Sequence, residues 1–232
     1  MNSWLNLFLI VLIFGACSGK DNAEQTNAEL QPDTIVLEVE SPKEEPIDIE
    51  PYFYDTILTG GFHLSYRVYT DSVFQDLLQS LTLMKGRNEI AILSEISYPL
   101  PQKNLGYIGA DFEDTFVFVH SFGSGNPNYF ELIEKETGQV LRIGTLVDVN
   151  VEQQILLYED GEENDKHFVG LIIYDSKNNH EIRVDDFNGS DCAIQSNSGL
   201  RDCVEIDTVT AKQIVLKIDN EEEKIVKIYP RN

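Results

Sequence analysis

The 232-residue chain is short of positive charge, of cysteine and of long apolar runs, and each shortage removes a class of function. Only 17 Lys and Arg stand against 40 Asp and Glu, a net charge of −23, so the attraction that drives binding to nucleic-acid phosphates is reversed in sign. An anionic lipid surface is disfavoured for the same reason. The three cysteines include no C-x-x-C pair, and His63, His120, His167 and His180 are scattered, so no zinc motif forms and no metal is expected. His180-Glu181 lacks the second histidine of an H-E-x-x-H helix, and Phe122-Gly123-Ser124-Gly125 lacks the spacing of a hydrolase nucleophile elbow. No cofactor motif is found. The single Trp4 lies near the N-terminus, so no Trp-Asp blade signature exists.

The one marked apolar run, Leu5 to Phe14, is interrupted by Asn6 and ends at Gly15-Ala16-Cys17. A helix needs about 20 apolar residues to cross a bilayer core, and this run is well short of that, which makes it a secretory leader rather than a span. Phe14-Gly15-Ala16-Cys17 resembles the lipobox of bacterial lipoproteins, with Phe14 in place of the usual aliphatic residue. The resemblance implies cleavage after residue 16 and fatty acylation, as with palmitate, of the Cys17 thiol. The leader is then residues 1–16, and the membrane partner is reached through the lipid. Ordinary signal cleavage and an uncleaved anchor are the other readings. Gly19 stands at the third mature position and no Asp follows the cysteine directly, so the inner-membrane retention signal is missing. Lys20-Asp21 loosely resembles the surface-export signal of Bacteroidota-type lipoproteins. The expected address is the cell envelope, anchored to the outer membrane, periplasmic or surface-exposed.

Residues 17–51 carry ten acidic side chains between Asp21 and Glu50, spaced among Pro32, Pro42, Pro46 and Pro51. Self-repulsion and fixed proline φ angles predict an extended tether. Within it, Thr34 to Val39 has strand character.

From Tyr52 the aromatic content rises, and residues 52–232 are expected to fold as a mainly β domain. Glu89–Leu93, Thr115–Val119, Tyr129–Ile133, Val140–Ile143, Gln154–Tyr158 and Phe168–Tyr174 are short, rich in β-branched or aromatic residues and bounded by turn formers. Strand, charged turn and strand recur at Tyr129–Ile143, Gly170–Val184 and Ile214–Tyr229, which predicts an antiparallel meander or β-sandwich, with propeller-like blades as the alternative. One helix is predicted over residues 72–85: Val73, Phe74, Leu77, Leu78 and Leu81 share a helical face, Ser72 and Gln75 have capping-box spacing, and Gly86 is placed to stop it.

Cys192 and Cys203 flank a polar loop, and in an exported protein they read as a disulfide, with two reduced core thiols as the alternative. The loop Gly123–Asn128 is followed by strand-like Tyr129–Leu132 rather than a helix start, so it reads as a hairpin loop and not a phosphate cradle. His120 and Ser121 at its entrance, with Asn126, form the candidate ligand loop. The acidic stretches Glu159–Asp165 and Asp185–Asp191 have the composition of calcium loops without the EF-hand order, and solvated turns are the plainer account. Asp33-Thr34-Ile35, Asp55-Thr56-Ile57, Asp71-Ser72-Val73 and Asp207-Thr208-Val209 resemble O-glycosylation acceptors of exported Bacteroidota-type proteins.

These features point first to a non-enzymatic envelope lipoprotein that binds a glycan, ion or protein partner. The second reading is a hydrolase of extracytoplasmic polysaccharide or peptide, in which Asp111, Glu113 and Asp114 do acid–base work between Phe112 and Phe116. The third is a structural role in envelope assembly.

Overall fold

A computed structural model of the chain describes residues 49–123, 128–160, 170–195 and 199–231, all within the compact unit Ile47–Asn232. The leader, Cys17, the tether up to residue 48 and Asn126 lie outside the described residues. The described part is mainly β and antiparallel, built on three sheets.

The first sheet is a meander of β1 (Phe62–Thr70), β2 (Leu77–Lys85) and β3 (Asn88–Ser97). The central sheet is a seven-stranded meander: β4 (Tyr107–Asp111), β5 (Thr115–His120), β6 (Tyr129–Glu134), β7 (Val140–Asn150), β8 (Ile155–Glu159), β9 (Leu171–Asp175) and β10 (His180–Val184). The third sheet joins β11 (Glu205–Val209), β12 (Gln213–Asp219) and β13 (Lys224–Pro230). Short helices α1 (Gln102–Leu105) and α2 (Asp191–Gln195) fill connections. Sheets of three, seven and three strands are not four-stranded blades, so the propeller alternative is not formed.

Alternation along the strands explains the layering. On one face of the central sheet Phe116, Phe118 and Ile133 pack against Phe62, Leu64, Leu81 and Leu83 of the first sheet. On the same face, further along, Ile155, Leu157, Leu171 and Ile173 pack against Ile214, Leu216 and Ile218 of the third. Successive residues point oppositely, so Val117, Val119, Phe130, Leu132, Leu156, Tyr158 and Ile172 gather on the reverse face with Ala110 and Phe112. Among the described residues that cluster draws only on β4 to β9 and the turn after β4, so the sheet curls over its own face.

The helix expected over residues 72–85 is replaced by a turn and a strand. Asp71 Oδ1 accepts hydrogen bonds from the backbone N–H of Val73 and Phe74, an Asx-type turn that ends at Gln75, whose φ is 60°. Val73 and Phe74 are left 74 % and 78 % exposed. From Leu77 the chain pairs with β1 on one side and β3 on the other, and Gly86, at φ 60°, turns a two-residue hairpin instead of stopping a helix. β2 is the middle strand and is covered on both faces from Gln79 to Met84, so its apolar pattern lost the period-2 signature that marks a half-exposed strand.

The expected turns at Lys135–Gly138, Ser176–Asn179 and Asp219–Glu223 do join β6 to β7, β9 to β10 and β12 to β13. Cys192 and Cys203 are disulfide-bonded, their Cα atoms 6.3 Å apart, which ties α2 to the residue just past the 3-10 turn Gly199–Asp202.

Candidate functional site

An exposed aromatic surface lies where residues 49–54 join the domain. Residues 49–54 run against Tyr98–Lys103, where the Gln102 amide accepts from Phe53 N–H at 2.8 Å and donates to the Pro51 carbonyl at 2.9 Å. Glu50 N–H donates to the Tyr98 hydroxyl. The run Tyr52-Phe53-Tyr54 then splits by alternation. Tyr52 stacks on Tyr66 with ring centroids 5.5 Å apart and donates its hydroxyl proton to the Gly106 carbonyl, while Tyr54 stacks on Tyr107 at 4.9 Å. Phe53 points outward, 69 % exposed.

Between these walls lies a cleft of about 270 Å³ bordered by Phe53, Tyr54, Tyr98, the Pro99-Leu100-Pro101 stretch and Lys103, with Gln79 at its base. Gln79 is fully buried and satisfied: its amide donates to the Ser97 and Leu100 carbonyls and its oxygen accepts from Tyr66. Burial pushes the Tyr52 phenol, and to a lesser degree that of Tyr107, above the ordinary tyrosine value, and neighbouring Tyr54 adds to both. Tyr52 and Tyr107, which back the exposed rings, therefore stay uncharged at physiological pH. The aromatic wall offers ring faces and backbone-like amides, the surface suited to the apolar face of a sugar ring or an extended peptide.

The candidate ligand loop meets this cleft across α1. Ser121 N–H donates to the Lys103 carbonyl at 3.0 Å. His120 is nearly buried, its Nδ1 3.4 Å from the Asn104 carbonyl and its ring edge-on to Phe118 and parallel to Phe122. Phe122 is about half exposed on the side away from the core. Cleft residues Phe53, Tyr54 and Gln102, and Tyr107 behind Tyr54, were not among the sites read from the sequence. The aromatic run at 52–54 was the available signal, and it marked the start of the fold rather than a site.

The acidic trio does not converge. Asp111 Oδ1 stands 2.7 Å from the buried Lys135 ammonium, whereas Glu113 and Asp114 border a separate groove with Arg142 and Lys177. Two other carboxylates are raised: burial raises Glu131, against the pull of His120, and burial raises Glu159, against Arg201 and the backbone N–H groups of Leu200 and Arg201. Of the calcium-like stretches, Asp186 accepts from Tyr229 and faces Lys227, and residues 161–165 of Glu159–Asp165 lie outside the described residues. Among the described residues no group of three His, Cys, Asp or Glu is arranged to hold a metal ion, and no helix is long and apolar enough to cross a membrane. No family model matches the chain, and neither curated proteins nor solved structures returned a match.

Proposed function

We propose that the chain is an exported protein, lipid-anchored through Cys17 in the cell envelope, whose β domain binds a neutral glycan at the aromatic cleft. The observation that supports the ligand is the cleft itself: Phe53 and Tyr54 stand exposed beside fixed amide groups, next to the point where the tether enters. Flat rings take the C–H face of a sugar, and Gln102 and Lys103 supply hydrogen bonds at the rim. The tether between Cys17 and Pro51 gives reach from the bilayer, and its acidic charge keeps it from lying on an anionic surface.

Two measurements test this reading. Metabolic labelling with an alkynyl palmitate is expected to mark the wild type and not Cys17→Ala, and equal labelling of both would remove the anchor. For the cleft, the full chain in detergent is titrated with neutral oligosaccharides such as cellotetraose and maltotetraose. Tyr54→Ala is expected to weaken binding by roughly tenfold, the loss of one stacking partner. Binding that ignores Tyr54 and Phe53 would show that the cleft is not the site.

A further inference from the structure

A second cavity, of about 650 Å³, lies where the β4–β5 turn, β7 and the β9–β10 turn meet, at the other end of β5 from the aromatic cleft. Its walls differ in kind from the cleft. Glu113 and Asp114 stand on the β4–β5 turn with exposed carboxylates, and neither side chain takes part in a hydrogen bond or ion pair among the described residues.

The groove's own cations are already engaged. Arg142 lies over the Tyr174 ring at 4.9 Å, donates to the Leu141 carbonyl and faces Glu181 at 3.4 Å. Lys177 donates to the Glu152 carbonyl. Lys177 keeps its charge on that neutral carbonyl, so the lining is balanced in formal charge, but Glu113 and Asp114 are its carboxylates without a cation partner among the described residues, and in a protein whose total is −23 the overall field draws in a cationic ligand.

Charge alone does not describe the site. The Gln154 side-chain amide has no partner among the described residues, and Asn179 uses its oxygen on the Tyr174 hydroxyl, leaving its NH₂ group. The Thr115 and Ser176 hydroxyls lie 3.3 Å apart, and Leu141 and Tyr174, whose ring Arg142 covers, are the apolar part of the lining. Amides, hydroxyls and carboxylates around one groove match a ring that carries several hydroxyl groups. We propose that this groove binds an amino sugar: Glu113 and Asp114 take the protonated amine, and Gln154, Asn179 and Ser176 take ring hydroxyls. The site stands apart from the aromatic cleft and from the anchor, so it holds or fails independently of both.

The test titrates the full chain in detergent, under mildly acidic conditions, with a glucosamine tetramer, its fully N-acetylated counterpart and tetralysine. The glucosamine tetramer is expected to bind at least roughly tenfold more tightly than either comparator, because acetylation removes the charge and tetralysine lacks the hydroxyls. E113Q/D114N is expected to lose about tenfold and Gln154→Ala about threefold, while Val226→Ala, an exposed substitution outside both the groove and the cleft, leaves the affinity unchanged. Near-ultraviolet circular dichroism identical to wild type shows that each variant is folded, and Asp114→Asn alone serves if the double variant is not. No binding, equal binding of the acetylated tetramer, equal binding of tetralysine, or affinity indifferent to Glu113, Asp114 or Gln154 overturns the proposal.

Discussion

Lys135 closes a buried polar knot by placing its ammonium 2.7 Å from Asp111 Oδ1, with the lysine side chain only 1 % exposed. The same ammonium donates to Thr59 Oγ1 and to the carbonyls of Phe112 and Glu113, and Asp111 Oδ2 accepts from Thr59 N–H. Three chain segments are thus pinned at one cation: the entry to β1, the β4–β5 turn and the β6–β7 turn. Asp111 Oδ1 meets the lysine as a charge rather than through a directed hydrogen bond, so the interaction depends on the cation being there. Lys135→Met keeps the volume and removes the charge, leaving Asp111 and three acceptors without their donor. The expected cost is about 3 kcal/mol in urea unfolding. A variant as stable as the wild type would mean that water replaces the ammonium.

The disulfide makes a second, separable contribution. Cys192 and Cys203 are 11 residues apart, and in the chain-entropy picture closing so short a loop stabilises the fold by about 3 kcal/mol. Cys192→Ser/Cys203→Ser is expected to unfold at lower urea by that amount, and a reductant should lower the wild type to the double variant's midpoint while leaving the variant where it is. A wild type indifferent to reductant would show that the pair contributes nothing to stability.

What the sequence made legible depended on how local each feature is. β5 and β6 announced themselves because Thr115–His120 and Tyr129–Glu134 are β-branched or aromatic runs between turn formers. The cysteine pair was visible because one polar loop separates its members. β2 was hidden, since both of its faces are covered and its leucines fit a helical period as well as a buried strand. The aromatic cleft was hidden for another reason. Its walls come from residues 50, 53, 54 and 98–103, with Gln79 added by strand register, and no window of sequence holds them together. The Lys135–Asp111 pair is of that kind too, a charge whose burial follows from topology alone.

Acid should loosen the C-terminus before the rest. Arg231 Nε lies 2.7 Å from Asp175 Oδ2, with the two side chains 7 % and 4 % exposed, and its other nitrogens reach Gln153 and the Thr210 carbonyl. Burial works to raise the Asp175 carboxyl, but the Arg231 and Asn178 hydrogen bonds outweigh it and hold the group below its ordinary value of 3.8. A carboxyl with a depressed folded value adds stability that is complete above the unfolded value and is lost as pH falls through the folded one. Wild-type stability should therefore drop in the acidic range below about pH 4, and Arg231→Leu should flatten that drop while costing about 3 kcal/mol at neutral pH. Parallel pH profiles for the two proteins would rule this pair out as the acid-sensitive contact.

Glu131 predicts the opposite sign. It lies on β6 across from Phe118, on the face of the central sheet that the first sheet covers, and burial raises its carboxyl although His120 pulls the other way. A carboxyl with a raised folded value favours folding while it carries its proton and loses that contribution as pH climbs through the folded value, so at neutral pH its charge works against the fold. Glu131→Gln keeps the shape and removes the charge. The variant should melt higher than wild type at neutral pH, and the gap should close as acid protonates the wild-type carboxyl. Glu159 is raised by burial as well, but Arg201 and the N–H groups of Leu200 and Arg201 partner its charge. Glu159→Gln gives up those partners along with the penalty and should gain less than Glu131→Gln. Thermal melts of both variants across the pH range decide it, and a Glu131→Gln protein that melts below wild type at neutral pH would show that the His120 interaction, and not burial, governs this carboxylate.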